Sequence, residues 1–154
     1  MPEKKRNEQL KFSIFKVNKS KWDFYKKYHY LTESIPSACE CYELTLANKK
    51  VGFIAISKFR HPKAKDIMTI SRIVIVPEFQ GFGLGIKFMN EIAQLYPSFR
   101  VRIITSLKSF MIALKKSLNW KCMSIGRNPS HQGIICKGSN DRITASFEYK
   151  KNAS

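Results

Sequence analysis

The chain has 154 residues, 44% of them hydrophobic, and carries 28 Lys and Arg against 11 Asp and Glu, a formal charge of +17. Such a length makes one domain, 1–154, burying roughly two-thirds of its unfolded surface, which excludes a fibrous or wholly disordered chain. No apolar run approaches the ~20 residues of a membrane span, and Met-Pro-Glu-Lys-Lys-Arg-Asn-Glu at the start leads into no apolar segment of a secretory signal.

In chain order, residues 1–10 are expected to be a flexible basic N-terminus. Residues 11–17 alternate Phe12 and Ile14 with polar side chains, and form a first strand. Ser20 with Asp23 three residues on is a helix-start pattern, and Trp22, Tyr25 and His29 then share one face. Residues 31–39, with Pro36, make a loop. Residues 42–46 and 51–57 form a hairpin joined through Asn48-Lys49-Lys50, with Asn48 as the turn residue. A basic loop with Pro62 covers 59–65, and residues 68–76 are a β-branched strand of the buried kind. A helix over 83–96 stops before Pro97, a strand covers 101–105, and Leu107, Phe110, Met111, Leu114 and Leu118 mark a second amphipathic helix. A short strand follows Asn119-Trp120. A polar loop with Gly126, Pro129, Gly133 and Gly138 then leads to a closing strand over 142–149. The order β-α-β-β-β-α-β-α-β-β predicts one mixed α/β sheet with helices on its faces.

The most informative segment is Ile73-Val74-Ile75-Val76-Pro77-Glu78-Phe79-Gln80-Gly81-Phe82-Gly83-Leu84-Gly85. A strand, a proline and a glycine-rich turn open a helix, so unpaired backbone N–H groups and a positive dipole end converge where a phosphate fits. No Lys-Ser or Lys-Thr follows the glycines, so this is no P-loop. The spacing is Gly81-x-Gly83-x-Gly85 and residues 100–106 hold no carboxylate, so it is no dinucleotide fingerprint either. The pattern Val-x-Pro-x-x-Gln-Gly-x-Gly-x-Gly resembles the acyl-CoA loop of the GNAT superfamily of N-acetyltransferases, with Gln80, Gly83 and Gly85 at its defining positions. A glycine-rich helix start with no ligand is the alternative.

The resemblance implies an acetyl-CoA-dependent (or other acyl-CoA-dependent) acyltransferase. Its single-domain α/β fold would have a mixed, mostly antiparallel central sheet and helices on both faces. It further implies that the strand before the loop splays from its neighbour to admit the pantetheine arm. This assigns cofactor binding to the backbone of Ile73, Ile75 and Val76, and the pyrophosphate to Gln80, Gly81, Phe82, Gly83, Leu84 and Gly85. Many relatives take a general acid from a tyrosine on the helix after the next strand. This chain departs there, carrying Phe110, with only Ser106 and Ser109 as hydroxyls. The replacement candidates are the Tyr28-His29-Tyr30 cluster, Ser71 and Tyr149, and His29 is the most adaptable because histidine titrates near neutrality. Aromatic packing at a helix end is the competing account of Tyr28-His29-Tyr30. Glu43 is either a base beside the cleft or a surface ion-pair residue, and His61 and His131 are expected in solvent.

Coenzyme A alone does not require +17. The excess favours a polyanionic partner, DNA or RNA, although solubilising lysines are the alternative, and no helix-turn-helix, zinc finger or RNP pattern is present. A narrower resemblance links the two signals. Lys-Tyr-His-Tyr-Leu (27–31) with Pro36, Ser71-Arg72-Ile73-Val74-Ile75 and Ile104-Thr105-Ser106 resemble small phage and mobile-element acetyltransferase-like proteins, among them relatives of the Mom adenine-modifying protein of phage Mu. That resemblance implies a DNA-base acceptor and moves Tyr28, His29, Ser71, Arg72 and Ser106 towards the site. Two other readings stand beside it: a nucleic-acid-binding module with a vestigial cofactor site, and a protein or small-molecule N-acetyltransferase. Cys39, Cys41, Cys122 and Cys136 match no structural zinc spacing, so thiols and no metal are expected in a cytoplasmic protein. Nothing in the sequence sets the oligomeric state.

Overall fold

The computed structural model of the chain describes residues 11–29, 34–127 and 143–151. Its strands are β1 (Phe12–Val17), β2 (Glu40–Leu46), β3 (Lys49–Lys58), β4 (Ile67–Ile75), β5 (Arg100–Thr105), β6 (Trp120–Arg127) and β7 (Ile143–Tyr149). Its helices are α1 (Trp22–Tyr25), between the 3-10 turns Lys19–Lys21 and Lys26–Tyr28, then α2 (Leu84–Gln94) and α3 (Lys108–Lys116). The strands form one seven-stranded sheet in the order β1-β2-β3-β4-β5-β7-β6. Among the described strands only β4 and β5 run parallel; the other pairings are antiparallel. This is the expected element order and a mixed, mostly antiparallel sheet.

Side-chain alternation gives the sheet two cores. On one face α2 buries Phe88, Met89, Ile92 and Ala93, and α3 buries Met111 and Leu114, against Ile54, Ile56, Ile70, Ile103 and Phe147. Each fully buried large side chain is worth roughly 1.5–3 kcal/mol. On the other face Trp22 and Tyr25 of α1 cover Cys41, Phe53, Ala55, Val74 and Val76. The middle strands β3 and β4 are therefore covered on both sides, as their β-branched runs require. Trp120 Nε1 donates to Asn90 Oδ1 at 2.7 Å, locking β6 to α2.

The first helix departs from its expected start. Asn18, not Ser20, is the cap: its Oδ1 accepts the Ser20 N–H at 2.9 Å, while Asp23 pairs with Lys26 at 3.5 Å. The hairpin turn is Ala47-Asn48, both with positive φ (47° and 65°), so β3 already begins at Lys49. A two-residue turn matches the strand twist better than the longer expected connection. Helix α2 ends at Gln94, short of Tyr96. Gly126 lies in β6 opposite Thr144, not in a loop, because β6 pairs with β7 up to Arg127. Residues 1–10, Tyr30, Leu31, Pro129, His131, Gly133, Cys136, Gly138 and Arg142 lie outside the described residues. No helix among those described is long and apolar enough to cross a membrane.

Candidate active site

The site begins where two strands part. β4 pairs with β5 only from Ile67–Arg100 to Ile70–Ile103. Beyond that, β5 continues against β7 and β4 against β3. The divergence coincides with a bulge: Ala55 faces Arg72 and Ile56 faces Ile70, leaving Ser71 as the extra residue. A bulge bends its strand and sharpens the twist. Val76 N–H donates to Val51 O at 2.9 Å, towards β3. Backbone directions alternate along a strand, so the N–H groups of Ile75 and Ile73 face the gap instead. The Ile75 carbonyl agrees, accepting Gln80 Nε2 at 2.8 Å from the loop side.

The loop after β4 is shaped by its own chemistry. A 3-10 turn over Pro77–Phe79 is closed by Gln80 N–H on Pro77 O at 3.3 Å. Gly81 (φ 88°) and Gly83 (φ 73°) then occupy the left-handed region that other residues enter at a cost. Gly83 caps α2 with no side chain to accept hydrogen bonds. The first intrahelical bond seen is Lys87 N–H to Gly83 O, at 3.3 Å. The N–H groups of Leu84, Gly85 and Ile86 therefore have no helical carbonyl to bind. A methyl group at Gly81 or Gly83 would meet nothing within 4 Å, and Leu84, Gly85 and Ile86 line the cleft, so open space lies beside this turn. The first turn of α2 holds no acidic residue. Unclaimed amides, the positive helix end and open space suit a phosphate. Gly85 serves packing: a Cβ there would sit 3.5 Å from Phe110 and 3.7 Å from Ile75.

Between the strands and this loop lies a cleft of about 750 Å³, the size of a small-molecule site. Its walls are mainly apolar, from Ile73, Ile75, Phe79 and Leu84 on one side to Ile104 and Phe110 on the other. Tyr28, His29 and Arg72 stand at its polar end. Arg72 Nε donates to Ser34 O at 2.8 Å, binding the chain after α1 to the wall. No carboxylate is among the described residues that line the cleft.

A sequence profile of the acetyltransferase (GNAT) family matches residues 6–115. The chain belongs to that family. By sequence, no curated protein matches this acetyltransferase significantly. Solved structures resemble it closely in fold. A Bacillus subtilis acetyltransferase in complex with CoA superposes with a TM-score of 0.65 at 13% identity, over 93% of this chain and 99% of the other. The ribosomal-protein-S18-alanine N-acetyltransferase of Escherichia coli gives 0.61 at 16%, over 92% and 96%. A GNAT family acetyltransferase from Elizabethkingia anophelis with acetyl-CoA bound gives 0.58 at 13%, over 91% and 98%.

The residues singled out from the acetyltransferase sequence divide by position. Ile73, Ile75, Gln80, Gly81, Gly83, Leu84 and Gly85 line the cleft, as do Tyr28, His29, Ser71 and Arg72. Val76 does not: it is buried on the α1 face and its N–H is spent on Val51. Phe82 is 70% exposed and does not line the cleft. Tyr149 lies elsewhere, at the far side of α2, where its ring meets Trp120 at 5.4 Å and its hydroxyl accepts Gln94 Nε2 at 3.3 Å. It cannot act in this cleft. Ser106 follows β5 without lining the cavity. The Ser71 hydroxyl donates to Ala55 O at 3.1 Å, which fixes the bulge and turns its proton away from the gap.

Glu43 is neither a surface ion-pair residue nor a cleft base. It is 8% exposed and accepts the Tyr25 hydroxyl at 2.7 Å beneath α1. Burial, and then that bond to Glu43, push the Tyr25 phenol far up. A second phenol–carboxylate chain lies on the opposite face. Tyr42 and Tyr96 hydroxyls meet at 2.8 Å and Tyr96 donates to Glu40, whose carboxyl is held below the usual range chiefly by that bond. Sequence reading missed Thr105 and Leu107, which line the cleft at the end of β5. No sequence signal marks them, because the place where β4 and β5 stop pairing is set by the fold. Thr105 Oγ1 accepts the Leu107 N–H at 3.2 Å, turning the chain into α3.

Proposed function

We propose that the protein binds acetyl-CoA in this cleft and transfers the acyl group to an acceptor on nucleic acid, with DNA-base modification of the Mom type as its specific form. The carrying observation is a cleft with no carboxylate among its described lining residues, in a chain of charge +17. A cationic acceptor such as a polyamine or lysine side chain finds repulsion there and no counter-charge among the described residues. A neutral group on a polyanion finds the reverse.

The open cradle before Gly81 and Gly83, with the amides of the first turn of α2, fits the pyrophosphate. Bound there, acetyl-CoA supplies an acyl group activated as a thioester. The inward N–H groups of Ile73 and Ile75 orient the arm, and one of them faces the oxygen on which negative charge develops. Such a preorganised donor contributes about 3 kcal/mol of transition-state stabilisation. Apolar walls from Phe79, Leu84 and Phe110 exclude water. His29, at the polar end, would take the proton that the acceptor nitrogen gives up and return it to the departing CoA thiolate, so that free CoA leaves as the thiol. Tyr28 stands beside it.

The test is to incubate the protein and acetyl-CoA with single-stranded DNA, duplex DNA and a lysine peptide, then analyse nucleosides and peptide by mass spectrometry. An acyl-bearing nucleoside is the expected product. Peptide acetylation with unmodified nucleosides would overturn the acceptor assignment. Phe110, standing where a hydroxyl would serve as acid, favours the second reading, a nucleic-acid module with a vestigial cofactor site. Calorimetric titration separates the two, since that reading predicts no acetyl-CoA binding.

A further inference from the structure

Beside the cleft mouth two exposed rings and two ammonium groups form one cluster. Phe24 is 38% exposed and Tyr28 36%, and their ring centroids lie 6.2 Å apart. Lys27 Nζ stands 5.3 Å from the Phe24 centroid and 4.9 Å from that of Tyr28. Lys50, arriving from the start of β3, places Nζ 4.4 Å from the Phe24 centroid. The rings are held in place from below: Phe24 packs edge-on to Tyr25 at 4.9 Å, and Tyr25 stacks on buried Phe53 at 5.3 Å. Among the described residues no carboxylate pairs with Lys27 or Lys50; the neighbouring Asp23 pairs with Lys26. Tyr28 belongs to this cluster and to the cleft wall alike, so the two surfaces are continuous.

The two rings are set at 61° to each other, with the ammonium groups of Lys27 and Lys50 over their faces. They complement a ligand that is flat on one side and anionic on the other once the long lysine side chains swing from the rings to its phosphates. A nucleobase with its phosphate has that form. In a duplex the base faces are stacked inside, and only an unpaired strand can present them. We propose that Phe24 and Tyr28 stack bases of a single-stranded segment while Lys27 and Lys50 hold its phosphates, leading the acceptor nucleotide into the cleft. This inference rests on the nucleic-acid reading above and adds the strandedness and the surface. An acidic peptide would match the charges but leave the ring faces unused.

The experiment measures binding of the full chain to a fluorescent single strand of about 12 nucleotides and to its duplex, by anisotropy across a salt series. The wild type is expected to prefer the single strand. Phe24→Ala should weaken single-strand binding about tenfold and duplex binding much less. Lys27→Gln/Lys50→Gln should flatten the slope of log affinity against log salt by about 1.4, at about 0.7 per phosphate contact. Acetyl-CoA affinity by calorimetry should be unchanged in all of them. Should Phe24→Ala fail to fold, Phe24→Leu keeps the apolar volume without the flat face and carries the same expectation. Variants that bind single strands as the wild type does would overturn the platform and leave the nucleic-acid acceptor standing. A wild type that binds neither oligonucleotide at low salt would overturn both. Tight binding of poly-glutamate in place of the single strand, lost in Phe24→Ala, would overturn the platform in favour of an acidic peptide.

Discussion

Gly83 gives the sharpest test of the phosphate cradle, through the pair Gly83→Ala and Gly83→Glu. Its φ of 73° is left-handed, and a Cβ there would meet nothing within 4 Å. Both variants therefore share one cost, the left-handed conformation of a residue with a side chain, about 1–2 kcal/mol. That cost should lower Tm by roughly 2–8 °C in both. They differ in the carboxylate. At ~4 Å from a phosphate, like charges repel by about 1 kcal/mol in a water-like medium and about 4 kcal/mol at the effective dielectric of a protein surface. The Glu variant should thus bind acetyl-CoA roughly 5- to 1,000-fold more weakly than the Ala variant. Calorimetric titration with acetyl-CoA gives that ratio, and added salt should narrow it. Equal affinities in two variants of equal Tm would refute the placement of the pyrophosphate at Gly83.

Tyr25→Phe removes the donor from buried Glu43 and should cost about 1–3 kcal/mol in urea unfolding, whereas Tyr25→Phe with Glu43→Met should recover most of the loss. Glu40 is held below the usual carboxylate range, first by Tyr96 and also by Lys16. Its contribution is therefore present above the unfolded-state value and lost as pH falls through the folded one. Tyr96→Phe should flatten the fall of stability with acid, measured by unfolding between about pH 3 and 7. Ala47 holds φ 47° in its turn, so Ala47→Gly should stabilise by about 1 kcal/mol and raise Tm by roughly 2–4 °C. The Cys41 thiol is pushed up to about 12 by burial and then by its hydrogen bond with Cys39. Alkylation mapped by mass spectrometry should mark exposed Cys122 in the native protein and Cys41 only after unfolding.

The glycine loop was legible because its requirements are local. Left-handed backbone at Gly81 and Gly83 needs residues without a Cβ, and Pro77 must end a strand. The element order was legible from periodicity, since α2 and α3 each bury one stripe. What escaped depends on partners distant in sequence. The bulge at Ser71 follows from a slip against Ala55 and Ile56, and an apolar run gives no sign of which residue is left over. Glu43 looked like a surface acid because nothing in the sequence places Tyr25 over it. Tyr149 looked available because its strand alternates cleanly, yet it follows Glu148, which pairs with Arg102 where β4 and β5 still join, and so lies away from the open end of the cleft. Ser20 and Asn18 both qualified as caps, and the choice lay in backbone geometry.

The lack of a carboxylate among the described cleft residues and of a tyrosine on α3 has one chemical reading under the proposed function. A lysine-like amine has a pKa near 10.4, so about one molecule in a few thousand is unprotonated at neutral pH, a deficit of roughly 4.6 kcal/mol. A cleft for such an acceptor gains from a carboxylate that first holds the ammonium and then takes its proton. An exocyclic nitrogen of a base is already neutral and brings no charge to stabilise. Its burden is access, since it must be unstacked and brought to the acyl group. A cleft with apolar walls, one imidazole and one guanidinium at its mouth, and an aromatic and cationic ledge leading into it meets that burden. Under the proposed nucleic-acid acceptor, the charge of the chain serves to bring in the phosphate backbone, and the loop's amides keep the one anion that must stay fixed.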